Sequence, residues 1–185
     1  MRRLPRSFYT RDTHLVAREL LGKLLVRRWR GRELAARILE VEAYVGEDDR
    51  ACHASHGLTA RTKVMYGEAG HAYVYMIYGM YHCLNIVTEQ ANFPAAVLIR
   101  EVAPQFATSA ETDGPGKLTR EMHITRSLNT EYLAISDKLW LADDGFSVAS
   151  SRIIRTPRIN VAYAGADAKL PWRYLYQPKH FTQSA

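Results

Sequence analysis

Five runs of extended-looking sequence lie between residues 24 and 102, and the spacing of their breaks constrains the fold more than any other feature. Residues 24–29 and 34–44 flank Arg30-Gly31-Arg32, a connection short enough for a hairpin. Residues 71–78, 82–88 and 95–102 follow, with Gly79-Met80-Tyr81 and residues 89–94 as turns. Short connections place successive strands side by side in opposite directions, so the pattern requires a largely antiparallel sheet. Asp12 or Thr10 can cap a preceding helix that runs to about Leu21, where Gly22 offers a stop. Asp113-Gly114-Pro115-Gly116 breaks the chain before a second helical stretch at 117–122, and a last strand is expected over 152–161. The tail, rich in proline and aromatic residues, is expected to wrap the body. With 185 residues, 47% of them hydrophobic, the chain can bury one sizeable core but is short for two. The expected architecture is α+β: one compact domain over residues 1–185, with a curved, mainly antiparallel sheet and peripheral helices.

Charge narrows the partner. Lysine and arginine outnumber aspartate and glutamate by 25 to 19, a formal net charge of +6 that suits a polyanion and equally fits an ordinary basic enzyme. Cys52 and Cys83 are too few for a disulfide framework and too far apart for a paired zinc motif, so buried, reduced thiols are expected. No apolar run is long enough to span a bilayer, which argues against a membrane partner. Polar residues follow the basic Met1-Arg2-Arg3-Leu4-Pro5-Arg6, in place of the apolar stretch of a secretory signal. A cytoplasmic, nucleoid-associated protein acting as a monomer is the expectation.

Residues 46–70 form a long polar connection, and connections of that length in compact domains usually carry function. Just before it, strand periodicity in Ile38-Leu39-Glu40-Val41-Glu42-Ala43-Tyr44 sets Leu39, Val41 and Ala43 on one face and Glu40, Glu42 and Tyr44 on the other. Two carboxylates thus share a face with an aromatic ring; a solvated face, or salt bridges to Arg37 or Arg100, would account for them without any chemistry. The run Tyr73-Val74-Tyr75-Met76-Ile77-Tyr78-Gly79-Met80-Tyr81 concentrates four tyrosines, more than strand preference alone explains. Tyr78 stands at a strand end against Gly79, where a ring can project as a wedge into stacked bases. Asn85 and Arg100 are polar residues inside apolar strands and need partners; Glu42 is the candidate for Arg100. Gly114-Pro115-Gly116-Lys117 lacks the spacing of a nucleotide phosphate loop. Lys117 and nearby amides offer a contact to a DNA phosphate if a helix begins there, although an ordinary glycine-rich turn explains the same residues. His53 and His56 lie near Cys52, but nothing completes a metal ligand set, and no metal is expected.

Glu42-Ala43-Tyr44, His53, the tyrosine run, Asn85, Arg100 and Gly114-Pro115-Gly116-Lys117-Leu118 together, in this order and spacing, resemble the alkyladenine (3-methyladenine) DNA glycosylase family, in its bacterial form, over about residues 7–165. The resemblance implies a monofunctional enzyme of base excision repair. It would flip alkylated or deaminated purines (3-methyladenine, hypoxanthine, etheno-adenine) out of double-stranded DNA and hydrolyse the N-glycosidic bond without metal or organic cofactor. It assigns Glu42 as the general base and Arg100 as the residue holding the water and the carboxylate. It likewise makes Tyr44, His53 and Tyr75 the residues enclosing the flipped base, Asn85 a pocket residue excluding the 2-amino group of guanine, and Tyr78 the wedge. Where the family pattern has Arg-Ile-Gly before an aliphatic residue, this chain reads Arg158-Ile159-Asn160-Val161. A non-catalytic nucleic-acid binding module is the competing expectation. A carbohydrate glycosidase using Glu40 and Glu42 fits poorly, because neighbours two apart on a strand point the same way and do not flank a sugar.

Overall fold

The computed structural model describes residues 1–178. Helix α1 is the single turn Arg6–Tyr9. Helix α2 (Thr13–Leu20) begins at Asp12, whose carboxylate accepts the Leu15 amide at 2.8 Å. That cap is worth about 1 kcal/mol, and Val16, Ala17 and Leu20 form the face that is buried. Gly22 then turns the chain with φ +85°, and a Cβ there would lie 2.8 Å from the Phe146 ring, so both conformation and space call for glycine.

Strands β1 (Arg2–Arg3), β2 (Leu24–Trp29), β3 (Arg32–Val45), β4 (Ala72–Ile77), β5 (Tyr81–Val87), β6 (Ala95–Pro104), β7 (Leu139–Asp143), β8 (Ile153–Thr156) and β9 (Arg173–Tyr176) make one sheet. Its order is β1-β7-β2-β3-β6-β5-β4, with antiparallel pairing throughout. The first half of β3 pairs with β2, and on the same edge Glu40, Val41 and Glu42 pair with β9, which also carries β8. The expected α+β class and its five central strands are therefore present. The last strand is shorter than the expected 152–161, because Pro157 lacks a ladder donor and the chain then turns inward. Of the tail, residues 171–178 lie against the body through β9, and 179–185 are outside the described residues.

Alternation divides the sheet between two layers. Ala43, Val74, Leu84, Ile86 and Val97 face the main core under α2 and α3 (Pro115–Glu121), while Tyr44, Tyr73, Tyr75, Val87 and Ala96 face the other way. That second face is covered by the 46–70 connection, which plants Cys52, Ala54 and Met65 on it, so the long loop is packed structure. Two irregularities sit side by side in the β3–β6 ladder: Leu39 is an extra residue on β3, and Arg100 an extra residue on β6. The inward positions consequently change from Ala36 and Ile38 to Leu39, Val41 and Ala43, all in the main core.

Candidate active site

Beyond the double irregularity, Glu40 and Glu42 share the face away from the main core, beside Arg100. Glu42 has no exposed surface. Its Oε1 accepts the Ile159 amide at 2.8 Å, its Oε2 accepts the Tyr44 hydroxyl at 2.8 Å, and Arg100 approaches both oxygens at 3.4 Å. Burial raises the Glu42 pKa above its ordinary value, while Arg100, the Ile159 amide and the Tyr44 hydroxyl pull it back down. Arg100 does meet Glu42, yet its shortest contact is to Glu40, at 2.7 Å, and Arg173 from β9 holds Glu40 at the same distance. The extra residue in β6 turns the guanidinium toward both carboxylates. Arg37, the other partner considered for these carboxylates, pairs with Asp144 instead.

Above this group opens a cavity of about 180 Å³. Tyr44, His53, Tyr73, Tyr75, Asn85, Arg100, Ile159 and Asn160 line it, so every pocket residue expected from the sequence reaches the same space. Glu42 does not line it and lies behind Tyr44, Arg100 and Ile159. His53 and Tyr75 meet edge to face with centroids 4.7 Å apart. The His53 Nδ1 bonds the Tyr73 hydroxyl at 2.9 Å, and burial, aided by the nearby Arg61 charge, lowers its pKa to about 4, which keeps the ring neutral at pH 7. Asn85 donates to the Tyr73 carbonyl across the β4–β5 pair at 3.1 Å and lines the cavity. Tyr78 follows β4 at φ +52°, with 82% of its surface exposed at the cavity rim. A bulky residue in the left-handed region is costly, so the turn holds this ring outward at an energetic expense.

Two other sequence features resolve in physical terms. Asn160 keeps φ +60°, a conformation glycine adopts freely and asparagine tolerates better than most residues, so the exchange preserves the backbone bend that aims the Ile159 amide at Glu42. Lys117 bonds Glu111 at 2.6 Å and Asp113 at 2.8 Å, which offsets its charge within the protein. Gly116 beside it is required by packing, since a Cβ would come within 2.8 Å of the Tyr81 ring.

Sequence reasoning missed the support of this site. Arg158 is buried between the rings of Tyr44 and Trp172, its Cζ 4.8 and 4.9 Å from their centroids. It is clamped by Asp49 at 2.6 and 2.7 Å, with both side chains fully buried, and donates to the Ala43 carbonyl at 2.9 Å. Asp49 also accepts the Val45 and Ala51 amides, tying the start of the long connection to the segment that covers Glu42. Arg61, with its Cζ 4.7 Å from the Tyr75 centroid, and Tyr163 on the cavity rim were missed as well. The length of the 46–70 connection and the family-pattern segment Arg158-Ile159-Asn160-Val161 pointed to the region, but nothing local marks Asp49 and Arg158 as partners 109 residues apart. Cys52 and Cys83 are free and buried as expected, and burial pushes the Cys52 thiol up to about 12. Among the described residues, no group of three His, Cys, Asp or Glu side chains is placed to share a metal ion, and no helix is long and apolar enough to cross a membrane.

A shielded carboxylate thus lies behind a cleft walled by aromatic rings, a space suited to a flat ligand. Comparison with known proteins specifies the class. Residues 7–180 match the family described as Methylpurine-DNA glycosylase. Relatives whose provisional name is 3-methyladenine DNA glycosylase include one from Methanocella arvoryzae, 50% identical over 92% of this chain and 90% of its own length. Another from Legionella pneumophila is 52% identical over 89% and 88%, and one from Myxococcus xanthus 50% identical over 92% and 88%. The chain belongs to the methylpurine-DNA glycosylase family. It is a hydrolase of N-glycosidic bonds that acts on methylated purines in DNA, and the non-catalytic binding module is set aside.

Proposed function

We propose that the enzyme extrudes a damaged purine from duplex DNA into the cavity and hydrolyses its N-glycosidic bond with Glu42 as general base. The observation that carries this reading is a carboxylate without exposed surface whose partners, Tyr44, Arg100 and Ile159, are all cavity-lining residues. An ionised carboxylate offers about four acceptor positions. The Ile159 amide, the Tyr44 hydroxyl and Arg100 occupy three, and the attacking water takes the fourth after a small outward shift of the Ile159–Asn160 backbone. Arg100 steadies the negative charge, while Glu40 and Arg173 fix the guanidinium from behind.

A 3-methylated adenine is already cationic and leaves as a neutral base, so no general acid is needed. One carboxylate suffices to deprotonate water and face the developing sugar cation. Tyr44 and Tyr75 stack on the base, His53 meets its edge, Asn85 opposes the 2-amino group of guanine, and Tyr78 fills the vacated position in the duplex. Hypoxanthine and etheno-adenine enter the same cavity as neutral substrates. The enzyme works as a monomer in the nucleoid. Lys117 reaches a DNA phosphate only by exchanging its carboxylate partners for it.

The test is Glu42→Gln, which keeps the shape and one acceptor oxygen, puts an NH2 donor in place of the other, and cannot take a proton. Release of free base from lesion duplex, followed by mass spectrometry, should fall by about two orders of magnitude or more, with binding to lesion DNA retained. Full activity in this variant removes Glu42 from the mechanism.

A further inference from the structure

The cations around the cavity differ in how well they are neutralised. Arg100 is shared between Glu40 and Glu42, and Arg158 is matched by Asp49. Arg61 joins no ion pair among the described residues: its Cζ lies 4.7 Å from the Tyr75 centroid, its guanidinium 3.4 Å from the His53 Nε2, and it also meets the Tyr73 hydroxyl. Tyr75 and His53 line the cavity, whereas Arg61 lines a separate surface depression with Lys63, Glu68 and His71, on the outer side of that wall. A guanidinium can only donate, which leaves the Nε2 lone pair turned toward Arg61 and the His53 proton on Nδ1, facing the Tyr73 hydroxyl. Burial first, and the adjacent Arg61 charge second, lower the His53 pKa.

We propose that Arg61 sets the balance between cationic and neutral purines by placing an unmatched positive charge on the far side of Tyr75 from the bound base. The inference rests on the proposed stacking site. A ring carrying a cation on one face offers less attraction to a second cation on the other. A base in van der Waals contact with Tyr75 lies roughly 8 Å from the guanidinium. Like charges at that separation disfavour a cationic ligand between about twofold, at the dielectric of water, and about thirtyfold, at the effective value near a protein surface. Arg61 is solvent-exposed, which favours the lower part of that range, about threefold to tenfold. A neutral base is spared this penalty, so a pocket that attracts cations through its tyrosines is moderated by the arginine behind one of them.

The experiment measures single-turnover release of 3-methyladenine (cationic in DNA) and hypoxanthine (neutral) from duplexes by wild type, Arg61→Met and Arg61→Lys. Arg61→Met should raise the ratio of 3-methyladenine to hypoxanthine release threefold to tenfold, and Arg61→Lys, which keeps the charge, should stay within twofold of wild type. An unchanged ratio in Arg61→Met, or an equal rise in both variants, overturns the proposal. So does a wild-type enzyme that releases 3-methyladenine but no hypoxanthine, since there is then no balance to set. Release of neither base by wild type overturns the glycosylase site itself, a distinct failure.

Discussion

Replacing Asp49 with asparagine would leave the Arg158 guanidinium where it is, buried between Tyr44 and Trp172, but without its counter-charge. Removing one partner of a buried ion pair typically costs about 3–5 kcal/mol, because the remaining charge can neither leave nor be solvated. The lower end is the floor here: both side chains are fully buried and the pair makes two short bonds, at 2.6 and 2.7 Å. For a domain of this size each kcal/mol moves the melting midpoint by about 2–4 °C. Asp49→Asn should therefore melt about 6–20 °C below wild type in calorimetry or circular dichroism. The pair Asp49→Leu with Arg158→Met removes the stranded charge and should recover much of the loss. It remains below wild type, since the bonds from Arg158 to the Ala43 and Asp167 carbonyls are gone and the Val45 and Ala51 amides lose their Asp49 acceptor. A fall of less than about 3 °C in Asp49→Asn would refute the reasoning, showing that the guanidinium finds water or another acceptor. Base release measured well below the melting midpoint should also decline, because Arg158 precedes the amide that holds Glu42.

Tyr78→Ala should weaken retention of a lesion duplex more than it slows cleavage of a substrate whose base is already unpaired; equal losses on both would argue against a wedge. The pH profile follows from the proposed role of Glu42 as the base. A base must be ionised to act, and burial raises this carboxylate's pKa above its ordinary value, so the rate should fall as pH drops, with a midpoint above that of an ordinary glutamate. Single-turnover rates across the acid range check this, and since His53 titrates at about 4, a midpoint there would assign the limb to the histidine.

What could be read from the sequence follows from how local each signal is. The five central strands announced themselves because β3, β4, β5 and β6 place different chemistry on their two faces and turn at short polar segments. Strand β7 did not: Leu139-Trp140-Leu141-Ala142 is buried on both faces and shows no alternation, and β9 is four residues that become a strand only against β3 and β8. The candidate pocket residues were legible as motif positions and as polar or aromatic residues out of place in strands. Their exact setting was not. A one-residue insertion in each of two paired strands aims Arg100 at Glu40 as well as Glu42, and no single strand's sequence encodes a register between two. Asp49 and Arg158 look like ordinary loop charges until the fold closes over them.

The late strand β9 ties assembly of the site to the order of synthesis. Glu40 is held by Arg173, made 133 residues after it, and the same strand closes the edge beside Glu42. A nascent polypeptide can thus form its tyrosine-bearing hairpin on the ribosome while the acidic pair still sits on an open sheet edge. On the proposed mechanism, the acidic pair is complete only after that last segment has docked, so a chain ending ahead of Arg173 should release base more slowly than the full one.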